Sequence, residues 1–117
     1  MATDSKTKSL LCLKAAVEKK AQDPVLLELK GISSITDYFL LCSGRSDRQV
    51  QAIAQGIEEA LKKKGIRPLG HEGIAGGRWI LLDYADVVVH IFLDPVRKFY
   101  DLEGLWMDAQ RIEIQER

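Results

Sequence analysis

A chain of 117 residues, 46% of them apolar, makes one compact domain over residues 1–117 with a core of its own and leaves little room for a second. Its 17 basic and 17 acidic side chains cancel, which removes the basic surplus that drives sequence-independent binding to a phosphate backbone and points to protein rather than RNA as a partner. No apolar run approaches the roughly 20 residues that span a bilayer, and the apolar stretch within Met1 to Leu13 is too short for a signal peptide, so the expected location is the cytoplasm, away from membranes.

In chain order, Leu10, Leu13, Val17 and Ala21 recur at helical spacing with Lys14, Glu18 and Lys19 opposite, which predicts a first amphipathic helix ended by Pro24. Val25 to Leu29 reads as a short strand, Lys30 to Asp37 as a polar segment, and Tyr38 to Cys42 as a strand apolar enough to be covered on both faces. Ser46 and Gln49 form a capping-box pattern, and Val50, Ile53, Ala54, Ile57 and Leu61 make one stripe of a second helix that runs to about Lys64 and stops at Gly65. Cys12 and Cys42 lie in apolar segments and are expected to be buried reduced thiols rather than a disulfide or metal site.

Arg67 to Gly70 suits a short strand, and the four glycines between Gly70 and Gly77 suggest a flexible connection. Trp79 to Asp83 and Val87 to Leu93 predict an antiparallel hairpin closed over Asp83 to Asp86. Pro95 opens a closing helix anchored by Phe99, Leu102, Leu105 and Trp106, with a polar tail beyond a core spanning about 10–106. The order predicts an α/β fold in which helices pack on a mixed sheet.

Chemistry is harder to place. The glycines at 70 to 77 lead into a strand, whereas a phosphate cradle leads into a helix N-terminus. His71-Glu72 opens a zinc-protease pattern, but Ala75 stands where the second His is required. A nucleotidyl-transfer site needs carboxylates clustered on magnesium, yet Asp86 and His90 lie roughly 13 Å apart along a strand and turn chemistry accounts for Asp83 and Asp86. His71 and His90 have no acid and nucleophile at a triad spacing, and a lone His in an apolar strand is usually a packed core residue. No catalytic residue, metal or small-molecule cofactor is implied.

The segments Ser33-Ser34-Ile35-Thr36-Asp37-Tyr38, Ser43-Gly44-Arg45-Ser46, Trp79 to Asp83, Asp86 to His90, and Phe99 to Glu103 followed by Leu105-Trp106 resemble the ribosomal silencing factor (Iojap-like) family across about Leu10 to Trp106. The resemblance implies a nucleotidyltransferase-like single domain without catalytic carboxylates. It implies docking on the universal large-subunit ribosomal protein numbered fourteen, a block on joining of the small subunit, repression of translation, a role in large-subunit maturation, and a homodimer when free. Contact with ribosomal RNA would be minor. The rival readings are a nucleotidyltransferase-fold enzyme and an RNA-binding module.

A docking face needs buried aromatic anchors within a polar rim. Trp79, Leu81 and Asp83 alternate onto one strand face, and Glu72, Asp83 and Asp86 would give an acidic rim, although Trp79 suits a core position equally well. Tyr100 and Trp106 read as packing residues, Asp37 as a local brace, and Arg45 and Arg48 stay open.

Overall fold

The computed structural model describes residues 4–106 and 109–112. Its first helix, α1 (Ser5–Glu18), is opened by Asp4, whose carboxylate accepts from the Thr7 amide at 2.8 Å. It closes in a Schellman turn: Lys20 takes a left-handed φ of 66°, its amide donates to the Val17 carbonyl and that of Ala21 to Ala16. The stop is therefore Lys20, in a position usually given to glycine, and not Pro24. The buried side of α1 is Ser9, Cys12, Leu13, Ala15 and Ala16, while Leu10 and Val17 are 41% and 43% exposed. The expected stripe is thus rotated, because small residues let α1 approach its neighbours closely.

Strand β1 (Gln22–Glu28) contains Pro24 at an irregularity between Gln22 and Val25, with Asp23 at a φ of 48°. A residue without an amide hydrogen is tolerated at such a bulge. Strand β2 (Tyr38–Gly44) is central and nearly all buried, as its composition predicts. Helix α2 (Asp47–Lys62) is capped by Ser46 Oγ, which accepts from the Gln49 amide at 3.1 Å, and Gly65 carries the turn beyond it at a φ of 77°. All five residues of its predicted stripe are buried.

The glycine segment is more ordered than its composition suggests. Gly70–Glu72 is strand β3, so the expected strand at Arg67 lies three residues too early. Gln51 of α2 then donates to the carbonyls of Ile74 and Ala75 at 2.8 and 3.1 Å, and Gly77 sits where a Cβ would strike Asp47. Strands β4 (Trp79–Asp83) and β5 (Val87–Leu93) form the predicted hairpin.

The closing helix is two pieces, α3 (Asp94–Tyr100) and α4 (Leu102–Leu105), separated by Asp101 at a left-handed φ of 48°. Val96, Leu102 and Trp106 pack inward, whereas Phe99 and Leu105 are 81% and 73% exposed and do not anchor it. Within the expected polar tail, Gln110–Ile112 adds an edge strand, β6, against β1.

Among the described residues the six strands form one sheet in the order β3-β4-β5-β2-β1-β6, with β2 and β5 parallel and the other neighbours antiparallel. The mixed sheet and single domain agree with expectation. On the first face α1 and α2 cover Leu26, Leu40, Cys42, Ile80, Leu82, Val89 and Ile91. Both cysteines are buried there as free thiols, and burial pushes each up to about 12. Replacing Ile57 with Ala should lower the unfolding free energy by about 2–5 kcal/mol. Val17→Gln should change it by less than about 0.5 kcal/mol. Urea denaturation reads both, and comparable losses would contradict this orientation of α1.

Candidate functional site

The second face of the sheet is built by the alternate residues of the same strands. From β4 come Trp79, Leu81 and Asp83; from β5, Val88, His90 and Phe92; from β2, Phe39, Leu41 and Ser43. Register sets them in rows: Glu72, Leu81, His90 and Leu41 in one, and Gly70, Asp83, Val88 and Phe39 in the next. Short α3 packs chiefly on β5 and β2, so Phe92 is fully buried while Trp79, Leu81 and Asp83 remain half-buried and Glu72 is exposed.

What keeps α3 and α4 in place is Arg97. Its Nε and Nη2 donate to the two carboxylate oxygens of Glu103, each at 3.1 Å, and its Nη1 donates to Ser43 Oγ at 2.9 Å and the Asp23 carbonyl at 2.8 Å. The Pro24 bulge frees that carbonyl from the strand ladder, and the buried guanidinium satisfies it. Ligands of open α/β sheets usually sit beyond the carboxyl ends of parallel strands, here β2 and β5. That crevice holds Arg97 itself, beside a mixed-charge cleft with Asp23, Lys98, Asp101 and Arg111 on its walls. Nothing in the sequence singled out Arg97, because its partners lie 6, 54 and 74 residues away.

The structure gathers Trp79, Leu81, Asp83 and Glu72 on one side and sends Asp86 elsewhere. Asp86 pairs with Lys8 of α1 at 2.7 Å, so it belongs to a brace between the hairpin turn and α1 rather than to a rim around Trp79. Asp83 Oδ1 accepts from the Ala85 amide at 2.8 Å, which lets Ala85 hold a φ of 74° in that turn. The two carboxylates thus have separate duties. The local brace in the polar segment is Ser33, whose hydroxyl accepts from the Ile35 amide at 3.1 Å.

Trp79 lies between core and surface. Its ring centroid is 4.9 Å from Phe92 and 4.8 Å from the half-exposed Tyr100, while Trp106 meets Phe39 edge-on at 5.8 Å. The Trp79 Nε1–H donates to His90 Nδ1 at 3.1 Å. His90 is a packed core residue, and burial lowers its imidazole pKa to about 4.

Arg97→Met should cost about 3 kcal/mol in urea denaturation, because it strands a carboxylate and a bulge carbonyl, and Arg97→Lys should recover less than half of the loss. A Met variant as stable as the parent would show that the guanidinium is not the pin. For His90, the unfolded imidazole takes a proton near pH 6.5 that the folded one refuses until about 4, so stability is full above pH 6.5 and declines as pH falls toward 4. The decline should approach roughly 3 kcal/mol and be largely absent in His90→Phe. An unchanged slope in that variant would assign the acid sensitivity to other groups.

Comparison with known proteins adds to this geometry. The family model described as "Ribosomal silencing factor during starvation" matches residues 2–117. A Bacillus subtilis protein named "Ribosomal silencing factor RsfS" is 47% identical over 109 residues, covering 92% of each chain. The mouse protein "Mitochondrial assembly of ribosomal large subunit protein 1" is 28% identical over 92 residues, covering 76% of this chain and 40% of that one. A crystal structure of a Chromobacterium violaceum protein superposes with a TM-score of 0.87 at 33% identity, covering 98% of this chain and 95% of the other.

Proposed function

Since the chain belongs to the ribosomal silencing factor family, whose named role is regulatory rather than enzymatic, we propose that it docks on the large ribosomal subunit and sterically hinders joining of the small subunit, so repressing translation. The observation that carries the reading is the half-covered sheet face on which Trp79, Leu81, Asp83 and Glu72 stand together. A half-buried aromatic held among ordered rings loses little freedom on binding, and flanking carboxylates suit a basic partner surface. The large subunit is favoured because the mouse relative's name ties that protein to it.

On that subunit the proposed contact is the universal large-subunit ribosomal protein numbered fourteen. Equal numbers of basic and acidic residues favour a protein contact and leave ribosomal RNA a minor one. Off the ribosome the same apolar face is available to a second copy, which is the basis for proposing a homodimer. A part in large-subunit maturation is compatible with the same docking.

Sedimentation with separated subunits should show binding to the large subunit alone, and added protein should reduce subunit joining. Trp79→Ala should weaken that binding by about 2 kcal/mol or more. Binding to neither subunit would end the proposal. Unchanged affinity in a folded Trp79→Ala variant would move the contact off this face.

A further inference from the structure

A half-exposed indole packed on Phe92 and Tyr100 is restrained from sliding, but stacking alone does not select which edge of the ring faces outward. The hydrogen bond does. Because His90 Nδ1 accepts the Trp79 N–H, the imidazole carries its own proton on Nε2. That Nε2 is buried with no hydrogen-bond partner, in a residue only 5% exposed. Leaving a buried donor unmatched is unfavourable, and a phenylalanine would fill a similar space between Phe39 and Phe92 without it. The property that phenylalanine lacks and His90 supplies is an acceptor aimed at the indole. The acceptor also comes from the middle of β5, whose backbone is paired on both sides, so the indole is oriented from a rigid point.

We propose that His90 is a positioning residue for docking: through Nδ1 it holds the Trp79 indole in the orientation that the large subunit meets. The inference rests on the reading of Trp79 as a docking anchor. His90 contributes by removing alternative indole orientations that would otherwise have to be ordered during association. Its effect on binding is therefore exerted through Trp79 and depends on that side chain being present.

The test is a double-mutant cycle on the full chain, read as affinity for purified large ribosomal subunits at fixed salt. His90→Phe is expected to weaken binding about tenfold beside Trp79 and less than about twofold in the Trp79→Phe background. His90→Gln, which keeps an acceptor on the side chain, should stay within about threefold of the parent. In the parent, nitrogen-15 NMR should show the Trp79 indole N–H exchanging slowly with solvent. Equal losses in both backgrounds would reduce His90 to a structural residue. An indole N–H that exchanges as fast as an exposed one would overturn the proposal without any variant having to fold. If Trp79→Phe weakens binding and His90→Phe does not, positioning fails alone; if Trp79→Phe itself has no effect, the docking reading fails first.

Discussion

A sheet with two apolar faces must hide both, and among the described residues two long helices serve one face and short ones the other. α1 and α2 seal the first face, and the parallel pair β2 and β5 is buried between the layers. The second face is left to α3, α4 and Trp106, which cover Phe92, Leu41 and Leu27 but leave the β4 side half-exposed. Arg97 decides where that partial cover ends, because it ties the bulge of β1, the end of β2 and Glu103 of α4 to one guanidinium. Burying a cation is unfavourable unless its donors are matched, and here they meet a bidentate carboxylate, a hydroxyl and a freed carbonyl.

The same economy accounts for the character of the exposed strip. A strand face wholly in water would favour polar side chains at Trp79 and Leu81, and one wholly covered would disfavour Asp83. The sequence Trp-Ile-Leu-Leu-Asp suits neither extreme: Ile80 and Leu82 are buried under the helices, while the alternate three are half-buried. A patch of that kind, with acid groups at its margin and rings already ordered beneath it, has the physical properties of a docking surface. The crevice beyond the carboxyl ends of β2 and β5 has a different character, since Arg97 makes contacts internal to the fold there, beside a mixed-charge cleft.

Much of this was legible where local chemistry acts alone. The hairpin of β4 and β5, the central position of β2, and the capping and stripe of α2 all follow from periodicity and end signals within short windows. Several of the misread places involve tertiary contacts that change the meaning of a residue. Pro24 reads as a helix stop but lies in a bulge whose carbonyl is held by Arg97 from 74 residues away. Leu10 and Val17 define an apparent stripe, yet close packing of α1 is achieved through Ser9, Cys12 and Ala16. Asp86 reads as part of an acidic rim until Lys8, 78 residues away, takes its carboxylate. For the site itself, strand alternation gave Trp79, Leu81 and Asp83 a common face, but not the Tyr100 ring against Trp79 or the imidazole beneath it.

On the proposed docking, the β4 side of the second face meets the large subunit. A photo-crosslinking side chain at Leu81 tests it directly, with the same group at Val17 on the outer side of α1 as reference. Irradiation with purified large subunits should give one discrete adduct from position 81, to a single large-subunit protein, and little from position 17. Adducts from position 17 with none from position 81 would place the contact on the helical side and exclude docking through β4.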